Sequence, residues 1–509
     1  MKPLAFPGVI GYQILMKPAV AILALFVALP SIFAAEGDLT ARARRALEKS
    51  TAYLRSISAG GGYLWRYSAD LKERAGERKA TATMIWMQPP GTPSVGMAFL
   101  RAHEATGDPR YLDAALAAGV ALAEAQLDSG GWEYSYDFDP QQRRNWQRRG
   151  NPDKLDDKQW ARAQKFAVFD DDTTQSAVRF LLALGDAAKD SNDPRVARIR
   201  DTRDYALKKM LEAQYPNGAF PQRWDGRPHP AAEFPVLKAS IPKDWPREWP
   251  RSNYFALYTL NDNSQRTCVD TLLDAHRRLG RPEFRAAALR GGEFLLLAQL
   301  PEPQPVWAQQ YNTRMEPAWA RAFEPPCATA GESVGALRLL LELWIETGDT
   351  KWLKPIPPAI AWFERSALSP NLWARMYELG SNKPIYGDRD GKIYYRLQDI
   401  SEERRTGYGW QGNYGFPSFK AQYERTQQEG REKTLARRQS RPLSPKEKDG
   451  RMKSLAPQVE KVIAALDAQG RWITRAKPRK GEFQSSEWVE TSVFIANVET
   501  LAKYLELTR

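Results

Sequence analysis

One short pattern recurs along this chain and constrains its fold more than anything else in it. A helical stretch ends near Gln, passes through a turn of small residues and reaches an aromatic side chain. The clearest copies are Ala123-Glu124-Ala125-Gln126-Leu127-Asp128-Ser129-Gly130-Gly131-Trp132 and Leu211-Glu212-Ala213-Gln214-Tyr215-Pro216-Asn217-Gly218-Ala219-Phe220. Weaker copies lead from Gln299 to Trp307 and from Gln469 to Trp472, and degenerate ones from Tyr53 to Tyr63 and from Trp362 to Trp373. Trp132 and Phe220 stand 88 positions apart, Phe220 and Trp307 87, so the middle of the chain is built from modules of one length. Between the copies, apolar residues recur at three- and four-residue steps over 94–106, 174–187, 269–279, 333–347 and 491–507, which predicts a second helix in each module. Each module is then a helix pair, and up to six such pairs, the fifth poorly formed, stack into inner and outer layers around a shared core. The predicted fold class is all-α: an α/α toroid, an incomplete or six-pair α/α barrel, with long loops lining a cleft.

Those loops carry their own signals. Residues 141–164 are strongly basic and residues 223–251 are rich in Pro and Trp; loops of this length in a compact domain are functional or disordered. Residues 384–410 hold enough Tyr, Ile and Gly to predict short strands, whereas 432–451, dense in Arg, Lys, Ser and Pro, reads as an exposed basic linker. At the start, Lys17-Pro18 precedes the apolar run Ala19 to Leu29, which is short for a membrane span and leads to Ala34-Ala35. This predicts a secretory signal over residues 1–35, with Met16 as a second candidate start, and leaves 36–509 as one domain. Ile32 or Phe33 stands where a cleavage site prefers a small residue, so a retained anchor is the alternative. A secreted or periplasmic monomer follows, with no stable membrane insertion after cleavage. Cys268 and Cys327 either pair in that oxidising setting or stay free and buried.

A formal net charge of +13 and a pI near 9.5 imply a polyanionic partner. No zinc-finger, RRM or helix-turn-helix signature supports nucleic acid, so an acidic polysaccharide moves ahead; 17 Trp and 20 Tyr provide flat apolar faces for sugar rings. The acidic counterpart of this charge is concentrated at Phe169-Asp170-Asp171-Asp172-Thr173-Thr174-Gln175, where a helix opens. Three adjacent carboxylates repel one another. They suit either a metal site or an acidic N-cap in which Asp172 or Thr173 meets the first amides of the helix. Arginines beside aromatics form further blocks: Pro317-Ala318-Trp319-Ala320-Arg321-Ala322-Phe323-Glu324-Pro325-Pro326, Trp373-Ala374-Arg375-Met376-Tyr377-Glu378, Tyr386-Gly387-Asp388-Arg389 and Glu403-Arg404-Arg405-Thr406-Gly407-Tyr408-Gly409-Trp410. A guanidinium fork binds a carboxylate in two places while an aromatic covers the sugar face, which fits a uronate; the same pairing also ties loops to scaffolds.

These blocks, with Asp170 to Leu181, Tyr215 to Gln222 and Leu260-Asn261-Asp262, resemble the pectate lyases of polysaccharide lyase family 10, from about residue 165 to the end of the chain. The resemblance implies an α/α toroid that cleaves polygalacturonate by calcium-assisted anti β-elimination. It places calcium on Asp170 and Asp262, the neighbouring substrate-binding position on Asp171, the catalytic arginine on Arg321 and a substrate arginine on Arg405, with Arg375, Arg389 and Arg404 in equally matching blocks. The family pattern Asp-Asn-Gly is here Asp170-Asp171-Asp172, so the extra charge either tightens calcium binding or changes specificity. Rival readings are a triterpene-cyclase-like toroid, whose Asp-x-Asp-Asp motif ends here in Thr173, a glycoside hydrolase using Asp170 and Asp262, and a non-catalytic uronate-binding toroid. His103, His229 and His276 have no metal-ligand spacing.

Overall fold

The computed structural model describes residues 38–439, 441–476 and 483–509; the signal expected over residues 1–35 lies outside the described residues. Fourteen α-helices form among them: α1 (Leu39–Ser56), α2 (Thr92–Thr106), α3 (Pro109–Ala125), α4 (Asp157–Arg162), α5 (Thr173–Ala187), α6 (Arg195–Ala213), α7 (Ser264–Leu279), α8 (Pro282–Ala298), α9 (Ala330–Thr347), α10 (Ile356–Arg365), α11 (Glu402–Gly407), α12 (Phe416–Arg438), α13 (Pro445–Ala464) and α14 (Thr491–Leu507). In one layer α14, α2, α5, α7, α9 and α12 follow one another side by side. Their partners complete the pairs α2 with α3, α5 with α6, α7 with α8, α9 with α10, and α14 with α1. The sixth pair is spread: α12 packs on α9, while α13 packs on α14 and α1. The fold is therefore an all-α, α/α toroid that stops short of a closed barrel. No described helix is long and apolar enough to cross a membrane, and Cys268 and Cys327 are free and buried.

The hydrogen bonds of the repeat explain its spelling. The Gln that follows each of α3, α6 and α8 donates twice through Nε2, once to the carbonyl that closes its own turn and once to the next outer helix or the residue before it. Gln126 reaches Gly130 O (3.0 Å) and Thr202 O (2.9 Å), Gln214 reaches Gly218 O (3.1 Å) and Ala287 O (2.9 Å), and Gln299 reaches Pro305 O (2.8 Å) and Pro355 O (2.9 Å). The aromatic then turns back on its own outer helix, with the indoles of Trp132, Trp307, Trp373 and Trp472 donating to the carbonyls of Leu122, Leu295, Phe363 and Val462. Its backbone amide donates forward into the next inner helix: Trp132 N to Thr174 Oγ1, Phe220 N to Gln265 Oε1 and Trp307 N to Ser333 Oγ. Buried polar groups must find partners, and here the partners join consecutive modules. At Gly218, φ is +91° and an added Cβ would lie 2.0 Å from Arg290 O, so only glycine fits that turn.

One expectation is corrected. Residues 432–451 are no linker, because α12 runs to Arg438 and α13 starts at Pro445. Ser444 and Glu447 form a capping box that starts α13, and Arg438 pairs with Glu342 on α9 (2.7 Å). The strands expected within 384–410 do form. Pro384–Gly387 and Ile393–Tyr394 extend an antiparallel five-stranded sheet through Met376–Glu378 and Cys327–Thr329 to Trp307–Ala308.

Candidate active site

Inner helices α5 and α7 both begin at the same kind of turn. Asp171 (φ 50°, ψ 30°) and Asp172 (φ 60°, ψ 23°) precede α5, and Asp262 (φ 49°, ψ 32°) and Asn263 (φ 60°, ψ 22°) precede α7. Two successive left-handed residues are tolerated by Asp and Asn and resisted by most others, which accounts for the run of Asx residues at both places. Where the two turns meet, carboxylate oxygens of Asp170, Asp171 and Asp262 lie within 4.8 Å of one another. The acidic N-cap reading fails: Asp172 makes no capping hydrogen bond and is paired instead with Arg179, and Thr173 Oγ1 has no hydrogen-bond partner.

The modules deliver the surroundings of this cluster from one recurring position, two residues after the module aromatic. Tyr134, after Trp132, donates its hydroxyl to Asp170 Oδ2 (3.0 Å); Gln222, after Phe220, donates Nε2 to the same oxygen (2.9 Å). Gln309, after Trp307, donates to Asn261 Oδ1 (2.7 Å), and Asn261 donates to Asp262 Oδ2 (2.6 Å). Arg375, after Trp373, stands 3.9 Å from Asp262 Oδ1. Gln88 adds a bond to Asp171 Oδ2 (2.9 Å). None of Gln88, Tyr134, Gln222 and Gln309 was assigned to the site from the sequence, although the offset of Tyr134, Gln222 and Gln309 from their module aromatics was there to be read.

Burial, and then the charges of Asp170 and Asp262, push the Asp171 carboxyl up to about 7; burial, Asp170 and Glu332 push Asp262 up to about 6. Asp170 is raised as well, by burial that outweighs the hydrogen bonds of Tyr134 and Gln222. Three crowded oxygen donors that resist ionising together match a hard cation such as calcium, which takes carboxylate ligands and relieves their repulsion.

Two arginines face the cluster. Arg321 lowers the pKa of all three carboxyls through its charge. Its Nε (2.7 Å) and Nη2 are held by Glu324, which is 1% exposed and also accepts from Tyr408 Oη (2.9 Å). Arg375 is held by buried Glu332 (2.8 Å), and its guanidinium lies 4.6 Å from the centroid of the Tyr408 ring. Burial pulls both arginine pKa values down, but Glu324 and Glu332 more than offset it, so both remain cations. The other three arginines stand apart from the carboxylates. Buried Arg404 and exposed Arg389 share Glu403, with guanidinium carbons 4.6 and 5.9 Å from the Phe323 ring, and exposed Arg405 reaches only the Gln398 carbonyl at 3.5 Å. The sheet joining 327–329 to 376–378 and the Arg375 N to Trp410 O bond (2.7 Å) hold the Arg321, Arg375 and Tyr408 blocks together.

A family model described as pectic acid lyase matches residues 137–417, more than half of the chain. The sequence has no match among curated proteins. Among solved structures, the fold is similar to a family 10 polysaccharide lyase from Cellvibrio cellulosa (20% identity, TM-score 0.44, covering 65% of this chain and 97% of that one). A point mutant of that lyase in complex with trigalacturonic acid matches equally (20%, 0.44, 65% and 98%). A cellobiose 2-epimerase from Bacillus thermoamylovorans is similar over 92% of this chain and 98% of its own, at 13% identity and a TM-score of 0.43.

Proposed function

Because the chain belongs to the pectic acid lyase family, we propose that it is a secreted, calcium-dependent pectate lyase that cleaves polygalacturonate by anti β-elimination, with Arg321 as the base. The observation that carries this reading is the convergence of Asp170, Asp171 and Asp262 within 4.8 Å opposite the cation Arg321. Asp170 and Asp262, joined by Asp171, which the resemblance assigns to substrate, would hold calcium, which when bound draws charge from the uronate carboxylate and acidifies the C5 proton. Arg375 orients that carboxylate from beside Asp262. Glu324 holds Nε and Nη2 of Arg321, and Nη1, which makes no hydrogen bond among the described residues, would be the nitrogen that faces the sugar. In the reaction the C5–H bond breaks as its proton passes to Arg321, the electron pair forms the C4–C5 double bond, and the C4–O bond breaks with its pair leaving on the glycosidic oxygen, which takes up a proton. Because Arg321 accepts a proton only after losing one of its own, the rate climbs toward alkaline pH.

A hydrolase using Asp170 and Asp262 as its carboxylate pair would instead release saturated ends. Residues 1–35 would export the chain, and residues 36–509 would act as one catalytic domain, as a monomer. Incubation with polygalacturonate, with calcium and with chelator, tests the proposal: ultraviolet absorbance of the unsaturated product must rise with calcium, and cleavage without that absorbance, or no cleavage, would overturn it.

A further inference from the structure

Near the acidic cluster one arginine differs from the rest. Arg321, Arg375 and Arg179 are each tied to a carboxylate at hydrogen-bonding distance. Arg223 is not. Its guanidinium carbon lies 5.2 Å from the Tyr134 ring centroid and 4.7 Å from that of Phe255, two aromatic faces that fix its plane. Among the described residues its side chain makes no hydrogen bond, and the one ion pair it makes is with Glu133 Oε1 at 3.8 Å, beyond hydrogen-bond reach. Arg223 Nε and Glu133 Oε1 are both buried without a partner, while the Arg223 side chain as a whole keeps 23% of its surface exposed. Burial also raises the Glu133 pKa, which weakens its hold on the cation.

Position supplies the second half of the argument. Arg223 pairs with Val168 across a two-residue ladder, two residues before Asp170, and the residue before it, Gln222, donates directly to Asp170. Tyr134, which lies against Arg223, donates its hydroxyl to the same carboxylate. A single tyrosine ring therefore links the spare cation to the acidic cluster. A flat guanidinium held between aromatics, with no carboxylate within hydrogen-bond reach, is a preorganised receptor for a carboxylate, and a methyl ester, lacking charge, would leave it unsatisfied.

We propose that Arg223 anchors the carboxylate of a uronate ring flanking the one at the acidic cluster, and that it selects free over methyl-esterified units there. This rests on the uronate reading of the site given above. The experiment compares parent, Arg223→Gln and Arg223→Lys, with calcium present, on polygalacturonate and on methyl-esterified pectin. Charged hydrogen bonds contribute about 1.5–3 kcal/mol, so Arg223→Gln raises the Michaelis constant on polygalacturonate by about 10- to 100-fold. The turnover number stays within about twofold, the preference for the unesterified polymer falls by a similar factor, and Lys restores part of the loss. An unchanged Michaelis constant and preference, or a collapse of turnover alone, overturns the proposal. Phe255→Ala, which opens the sandwich from its half-buried side, serves if Arg223→Gln fails to fold, and must shift the Michaelis constant in the same direction. A parent that cleaves no pectate would sink the lyase reading instead; calorimetric binding of trigalacturonic acid to parent and Arg223→Gln still decides the anchor, because equal affinities exclude it.

Discussion

Asp171→Asn should make the calcium-free protein more stable, and the gain should grow with pH. In the fold, burial and the charges of Asp170 and Asp262 hold the Asp171 carboxyl near 7, against 3.8 for an unperturbed aspartate. A carboxyl whose folded pKa lies above its unfolded one favours the fold while protonated. That contribution is complete below about pH 4, declines as pH rises, and is gone once pH has passed about 7. Three pKa units correspond to about 4 kcal/mol; because the repulsion is shared with Asp170 and Asp262, about 2–4 kcal/mol is expected from one substitution. Asn keeps an acceptor for Gln88 Nε2 and suits the left-handed backbone at this turn, so little else changes. Urea denaturation in chelator from pH 4 to 9 measures the difference, which should be near zero at pH 4 and level off above pH 7. Added calcium should reverse the order, since the parent binds it more tightly and gains more from mass action. A variant no more stable than the parent at pH 8 in chelator would refute the claim that the cluster is held under electrostatic strain.

Asp170→Ala or Asp262→Ala should greatly raise the calcium concentration needed for activity while leaving the fold intact, because removing one like charge relieves the cluster; calcium titrations that superimpose on the parent's would exclude the site. Arg321→Lys should lose turnover on polygalacturonate and keep much of the binding, because lysine retains charge but not the fork held by Glu324; a raised Michaelis constant with turnover intact would make Arg321 a binding residue. Gln214→Ala removes the donor to Ala287 O and one of the two side-chain donors to Gly218 O, which keeps Gln265 Nε2 (3.0 Å), and also the acceptor of Arg290 Nη2 (2.9 Å); it should destabilise the protein by about 1–3 kcal/mol in chemical denaturation, and a change below about 0.5 kcal/mol would show that the repeat glutamine is not a structural tie.

Where local chemistry repeats, the sequence was readable. Helix period announces the helix pairs, and a terminal Gln with its turn marks those built on α3, α6 and α8, through contacts within or beside the segment; the toroid follows once such pairs must bury one face each. The boundary between α12 and α13 was misread because Arg- and Lys-rich composition outweighed the Ser444-Pro445-Lys446-Glu447 capping signal, a legible local rule. The acidic cluster was visible as a run of Asp, but its N-cap alternative could be dismissed only when Asp172 was found on Arg179.

Local sequence thus carries the modular helical scaffold and the set of charged residues available to it. Which of them meet is settled by packing. Asp262 joins Asp170 and Asp171 from a separate turn, and Tyr134, Gln222, Gln309 and Arg375 reach the site from four modules. Of the arginines beside aromatics, Arg321 and Arg375 face the carboxylates while Arg389 and Arg404 turn to Glu403. The physical reason is range: helix propensity and turn geometry act over a few residues, whereas the partner a charge takes depends on modules that become neighbours only when the ring of helices has packed.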